Sequence, residues 1–303
     1  MKQFVALLVL TASIAFTTAG QQLKIATYNV RYQNGSDEQQ GNGWAKRLPT
    51  VCEIVRFHDF DIWGAQEVLH NQLLDLLNGL GDYRYIGVGR DDGKTQGEYA
   101  PIFWKKDKFD LLDSGHFWLS ERTDHPNKGW DASLPRICTW GHFREKGSGK
   151  KFWFFNLHMD HRGVIARQKS AELVLEKIRE LSHSEPVVLT GDFNVDQTHT
   201  NYSVIQSSGI LADAYEKAAL RHAPTGTFNN FNINLKTSSR IDHIFLSPDI
   251  QVERYGLITD FYFASESTAD SVKSANFPDE VSLRKDQVRL PSDHYPVMII
   301  ANF

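Results

Sequence analysis

The chain has 303 residues, 41% hydrophobic and 23% charged, with a net charge of −4 and two cysteines. This is an ordinary globular composition, enough for one large domain or two small ones. It excludes a small disulfide scaffold and, with no Lys/Arg tract, argues against strong non-specific nucleic-acid binding, whose affinity comes mainly from phosphate neutralisation.

At the N-terminus Lys2 precedes an apolar run over 4–16, followed by the small residues Thr17, Thr18, Ala19 and Gly20. This pattern predicts a secretory signal peptide over 1–20, cleaved near Ala19 or Gly20, and a mature domain over 21–303. The run is too short for a membrane span, no cysteine follows it to carry a lipid anchor, and no second long apolar run occurs.

Strand-like runs follow at 23–30, 62–66, 85–88, 102–104, 137–143, 152–157, 187–190, 241–246 and 297–301. Several are nearly continuous apolar runs, as in strands buried on both faces. Helical patterns occupy 45–57, 70–80 and 164–181. In the last, Ala171, Val174, Leu175, Ile178 and Leu181 share one face, and Lys169, Glu172, Glu176 and Arg179 form a solvated one. The mixture, with 85–88 beside 102–104 and 137–143 beside 152–157, predicts an α/β sandwich of mixed sheets. Residues 260–290, with Ser265-Glu266-Ser267-Thr268 and Asp279-Glu280, read as a polar surface excursion. Cys52 in a helical pattern and Cys138 in a strand pattern read as two buried thiols.

Polar clusters punctuate the strand ends. Glu67 ends 62–66, where a carboxylate can hold Mg²⁺, which takes few protein ligands; the alternative is an acid at the N-terminus of the next helix. Asp192 and Asn194 follow 186–191. Their i, i+2 spacing lets both side chains point the same way, Asp192 to take a proton from water and Asn194 to orient that water or a phosphoryl oxygen; the alternative is an Asx-turn. Asp293 and His294 precede the terminal strand. Asp242 is a candidate partner for His294, favouring the imidazolium beside a phosphate, and Asp293 can add to a metal site. His158, followed by Asp160 and His161, reads as a phosphate-binding group rather than a zinc ligand, and Arg162 and Arg167 lie nearby as phosphoryl contacts or surface charge. With Asn29, these groups supply what metal-assisted phosphoester hydrolysis needs.

Taken in order, Thr27-Tyr28-Asn29-Val30-Arg31, Gln66-Glu67-Val68, Asn156-Leu157-His158-Met159-Asp160-His161, Gly191-Asp192-Phe193-Asn194, Arg240-Ile241-Asp242-His243 and Ser292-Asp293-His294 resemble the endonuclease/exonuclease/phosphatase superfamily, which includes deoxyribonuclease I. The resemblance covers roughly residues 23–303. It implies a four-layer α/β sandwich with two central mixed β-sheets, and a Mg²⁺ or Mn²⁺ site on Glu67 with Asn29 and Asp293. It also implies Asp192 as the base with Asn194 beside it, and His158 and the His294–Asp242 pair as stabilisers of transition-state charge. Abasic-site enzymes carry an acid where Arg31 stands and Tyr where His158 stands, so the chain departs from DNA repair. The segments Gly129-Trp130-Asp131, Leu134-Pro135-Arg136, Asp160-His161-Arg162-Gly163 and Gly226-Thr227-Phe228 resemble an exported bacterial subgroup, which would put Trp118, Trp130 and Arg136 at the pocket. Arg31, Arg136, Asp160, Arg162 and Arg167 are thus the candidate substrate-binding residues.

The expected activity is that of a secreted, divalent-metal-dependent phosphodiesterase or phosphatase using in-line water attack on a phosphoester. A small-molecule or sugar-phosphate substrate leads. An extracellular nuclease, or a sphingomyelinase-like enzyme using 260–264 at a membrane, is the alternative, and a non-catalytic binding protein comes last. Nucleic acid is a less favoured partner, and no sequence feature specifies an oligomeric state.

Overall fold

A computed structural model describes residues 22–265, 271–272, 278 and 280–303. The leader over 1–20, and Glu266-Ser267-Thr268 and Asp279 of the polar excursion, lie outside the described residues.

The first half contains β1 (Gln22–Asn29), α1 (Gly35–Gln39), α2 (Trp44–Phe57), β2 (Ile62–Gln66), α3 (His70–Gly79), β3 (Tyr83–Ile86), β4 (Ile102–Lys105), β5 (Phe109–Trp118), β6 (Ile137–Glu145) and β7 (Lys151–His158). Next come α4 (Val164–Ser182), β8 (Val187–Asp192), α5 (Thr200–Gln206), β9 (Ala212–Asp213), α6 (Ala214–Lys217), β10 (Leu220–His222) and β11 (Asp242–Leu246). The chain closes with β12 (Gln251–Leu257), β13 (Tyr262–Ala264), β14 (Ser271–Val272), β15 (Leu283–Arg284), β16 (Gln287–Arg289) and β17 (Val297–Asn302).

A seven-stranded sheet runs β10-β12-β17-β1-β2-β4-β3, and a six-stranded sheet runs β5-β6-β7-β8-β11-β9. Both are mixed: β1 and β2 are parallel in the first, β7 and β8 in the second, and their central neighbours β17 and β11 are antiparallel. Val51, Val55, Leu73 and Leu76 of α2 and α3 bury the outer face of the first sheet with Trp63 and Phe103. Ala171, Val174 and Ile178 of α4 do the same for the second with Phe155 and Leu189. Between the sheets lie Ile25, Ile62, Phe154, Val188, Ile244 and Ile299, and burying one such phenylalanine stabilises by about 2–3 kcal/mol. The four-layer sandwich expected from the sequence is therefore the fold.

Several strands escaped the pattern, β5 and β12 being the longest. β5 alternates poorly because a register shift between Leu111 and Asp113 breaks its period against β6. β12 has exposed Gln251 and Arg254 and carries its own shift between Val252 and Arg254. At the ends of the 260–290 excursion Tyr262–Ala264 pairs with Gln287–Arg289. Cys52 and Cys138 are buried and unbridged. Among the described residues no helix is long and apolar enough to cross a membrane.

What positions the site is a change of character along the inter-sheet face. Successive inward side chains read Ile25, Thr27, Asn29 on β1; Phe154, Asn156, His158 on β7; and Val188, Thr190, Asp192 on β8. Apolar core thus gives way, two residues at a time, to hydrogen-bonding groups. At the transition Gln66 Nε2 donates to Thr27 Oγ1 (3.0 Å) and Asn156 Oδ1 (2.7 Å), and Asn156 Nδ2 donates to the carbonyls of Ala65 and Pro101. Thr190 Oγ1 also donates to Asn156 Oδ1. Gly64 is required here, because a Cβ on it would sit 2.2 Å from Asn156 Oδ1 and 2.4 Å from Thr190 Oγ1.

Candidate active site

The ends of β1, β2, β7 and β8, the start of β11 and the Ser292-Asp293-His294 turn before β17 meet at one edge of the sandwich, around a cavity of about 630 Å³. Asp192 sits at its floor. Its Oδ2 accepts from Asn29 Nδ2 (3.0 Å) and lies 3.6 Å from His158 Nε2 and 3.8 Å from His294 Nε2. Its Oδ1 accepts the Asn194 N–H at 2.9 Å. Burial pushes the Asp192 carboxyl above its ordinary pKa, and Asp242, its register partner across β8 and β11, adds to the rise.

The two histidines differ in charge. Burial alone would lower His294, but Asp242 Oδ2 at 2.9 Å from its Nδ1, with Asp192 and Asp293 nearby, holds it well above its ordinary pKa as an imidazolium. His158 is pushed down to about 3, first by burial and then by the Arg136 charge, and stays neutral. Its Nδ1 lies 3.6 Å from Glu98 Oε2, and Glu98 is clamped by Arg90 through contacts of 2.6 and 2.8 Å. Sequence reasoning missed Glu98. It sits in a loop between β3 and β4 with no strand end to mark it, and the only signal was the Arg90/Glu98 charge pair flanking the Asp- and Gly-rich stretch 91–97.

Glu67 and Asp293 face the cavity on the first sheet's side. Glu67 takes the left-handed φ of +60°, accepting from Asn29 Nδ2 at 3.1 Å and from the Tyr32 N–H at 3.2 Å. Burial, then the Glu67 charge, push Asp293 up to about 6 against the pull of His294 and Arg31. Asp192 and Asp293, buried carboxyls that resist ionisation, stand with Glu67 beside an open cavity, a donor set that a hard divalent cation completes. Ligand atoms of Glu67, His158 and Asp192 all lie within 4.8 Å of one another, as do those of Asp192, Asp242 and His294. These residues fit Mg²⁺ or Mn²⁺.

Asn29, expected as a metal ligand, stands between the carboxylates. Its Oδ1 accepts the Arg31 N–H at 3.0 Å and its amide nitrogen faces Glu67 and Asp192, so it spaces the carboxylates. Asn194, also at positive φ, donates one N–H of Nδ2 to the Met159 carbonyl (3.0 Å), leaving Oδ1 as an acceptor for water and a second N–H for a phosphoryl oxygen.

Among the expected substrate-binding residues, Arg31 and Arg136 line the cavity. Arg31 is held by Asp37 at 2.8 Å and brings Nη1 within 3.4 Å of Asp293 Oδ2. Buried Arg136 pairs with Asp160 at 3.4 Å and His161 at 3.0 Å, with Nη1 unpartnered. The other three do not reach the cavity. Asp160 is buried and accepts the N–H groups of Arg162, Gly163 and Leu134; Arg167 donates to the Asp160 carbonyl; Arg162 is exposed. Their charges serve the turn into α4. Trp118 donates Nε1 to the Arg90 carbonyl in the core, and neither it nor Trp130 lines the cavity. Phe57 and Phe261 line a separate groove that shares no residue with the cavity, so aromatic 260–264 does not border the site.

Burial opposes ionisation of Asp160, but the backbone N–H groups of Gly163 and Arg162 hold its carboxyl well below the usual range. That contribution to stability is present at neutral pH and fades as pH falls through the folded-state value. Asp160→Ala should cost about 2–3 kcal/mol, a drop in Tm of roughly 5–10 °C in thermal melts at pH 7, with the difference shrinking at low pH. An unchanged Tm would mean the turn holds without it.

The sequence model of the Endonuclease/Exonuclease/phosphatase family matches residues 26–294. A mannosyl-6-phosphatase of Bacteroides thetaiotaomicron VPI-5482 is 51% identical, with a TM-score of 0.86, over 93% of this chain and 100% of that one. An endonuclease/exonuclease/phosphatase from Bacteroides vulgatus is 38% identical, with a TM-score of 0.80, over 93% and 99%. An uncharacterized protein of Acanthamoeba polyphaga mimivirus is 29% identical over 217 residues, 67% of this chain and 79% of that protein.

Proposed function

The chain belongs to the endonuclease/exonuclease/phosphatase family, and on that premise we propose that it is a divalent-metal-dependent phosphomonoesterase acting on a sugar phosphate by in-line attack of water. The observation that carries the reading is Asp192, a buried carboxylate of raised pKa between a neutral and a charged histidine, beside Glu67 and Asp293. The similarity to a mannosyl-6-phosphatase over nearly the whole chain supports the monoester and the sugar.

In this reading Asp192 takes the proton of the attacking water, a task its raised pKa suits. The free Oδ1 of Asn194 orients that water. His294, its Nδ1 tied to Asp242, offers Nε2–H to the developing phosphoryl charge. Neutral His158 has one N–H, which from Nε2 would reach a phosphoryl oxygen, and the Arg136 charge borders the same cavity. Glu67 and Asp293 would hold a Mg²⁺ or Mn²⁺ ion, which supplies Lewis-acid polarisation of the phosphoryl group. In this reading the chain is also exported, its leader over 1–20 removed near Ala19 or Gly20, and meets its sugar phosphate outside the cytoplasm.

The test is a panel of mannose 6-phosphate, a phosphodiester, DNA, RNA and sphingomyelin, each with Mg²⁺, Mn²⁺ or EDTA. Turnover of the sugar monoester that EDTA abolishes is expected. Cleavage of DNA or sphingomyelin with the monoester untouched would overturn the reading.

A further inference from the structure

The loop between β10 and β11 contributes an aromatic residue that the chemistry so far leaves unused. Phe228 lines the cavity and is 40% exposed there, its ring edge-on to His294 at 5.1 Å. An exposed phenylalanine costs hydration free energy, yet this one is held firmly. The Tyr295 N–H donates to the Thr227 carbonyl at 2.7 Å, and the N–H groups of Asn229 and Asn230 donate to the Asp293 carbonyl at 2.8 and 3.2 Å. Thr227 Oγ1 accepts from the backbone of both Ile241 and Asp242. Next in the chain, Asn230 and Phe231 hold left-handed φ angles of 52° and 54°, with Phe231 under the buried Arg47 guanidinium at 5.5 Å. Strain retained in a loop pinned to the site dipeptide marks a shaped surface.

The cavity wall says what that surface meets. Its arginines among the described residues, Arg31 and Arg136, are each engaged by a carboxylate, and no described lysine lines it. A nucleic-acid strand would bring flanking phosphates with nothing to neutralise them. The remaining rim offers neutral hydrogen-bonding groups on Ser36, Gln40 and Asn230. An aromatic ring among neutral polar groups suits a ligand with an apolar face of C–H bonds and a periphery of hydroxyls.

We propose that Phe228 is the specificity-determining platform for the leaving group, and that this group is an uncharged pyranose stacked on its ring. The proposal rests on the sugar-phosphatase reading and adds the residue that reads the sugar. Because the loop is bonded to Asp293 and abuts His294, the platform also fixes the distance between sugar and phosphoryl site.

The experiment compares Phe228→Ala and Phe228→Trp on mannose 6-phosphate and on glycerol 1-phosphate, a monoester with no ring. Phe228→Ala should raise KM for the sugar phosphate about tenfold and change KM for glycerol phosphate less than about twofold, with Phe228→Trp restoring discrimination. Equal losses on both substrates would mean Phe228 only seats His294, and no loss on either would remove it from recognition; both results overturn the proposal. If the unmodified protein hydrolyses neither monoester, the sugar-phosphatase reading fails on its own. The platform is then judged by calorimetric binding of the two compounds to the Asp192→Ala protein. A preference for the sugar that Phe228→Ala erases upholds the platform, and no preference overturns it.

Discussion

Replacing Asp192 by alanine should lower kcat by about three to four orders of magnitude while the protein stays folded. The two halves have separate causes. Asp192 lies within 4 Å of both histidines and is bonded to Asn29 and Asn194, the position the proposed base requires. Its folded-state pKa is raised, so it contributes stability only at low pH and loses it as pH rises through the folded value. At neutral pH the native protein therefore bears the cost of a buried carboxylate facing Asp242, and the substitution relieves that cost while forfeiting two hydrogen bonds. The net stability change should stay within about 1 kcal/mol in a denaturant melt. His294→Ala should fall to a similar rate. The double variant should be little worse than either single one, since groups acting as one unit are not additive. Normal turnover by the Asp192 variant would end its assignment as the base.

The second large effect concerns the metal. Glu67→Gln keeps the shape, and one oxygen can still accept from Asn29 or the Tyr32 N–H, but the charge is lost. A hard cation loses its anionic ligand, so Mg²⁺ affinity measured by calorimetry should weaken on the order of 100-fold, with turnover partly rescued by added Mg²⁺. Affinity equal to that of the unmodified protein would remove Glu67 from the metal site.

Much of this was legible because strand ends are marked twice, by the close of an apolar run and by the polar residue after it. Glu67, His158 and Asp192 all carried both marks, and His294 stood just before the terminal apolar run. In the Arg240–His243 string only Asp242 turns inward. His243, one residue on, points to the opposite face and bonds the Val195 carbonyl, and Arg240 pairs with Asp213. Side-chain alternation would have separated His243 from Asp242 beforehand. Glu98 and Phe228 were not legible as site residues, because loops carry no periodicity and only tertiary packing brings them to the cavity. Arg162 and Arg167 misled for the converse reason: nearness in sequence to His158 says nothing about direction once a helix begins at Val164.

The cavity lies on the seam between the sheets, and each sheet owns an incomplete share. Asn29, Glu67, Asp293 and His294 come with the first, and His158, Asp192 and Asp242 with the second. Such an arrangement works like a lock with two keys. Parting the sheets by a few ångströms would silence the enzyme while every strand kept its own hydrogen bonds. Inactivation by heat or pressure should thus run ahead of any loss of β-structure signal, making catalysis itself the most sensitive gauge of how tightly the sandwich is shut.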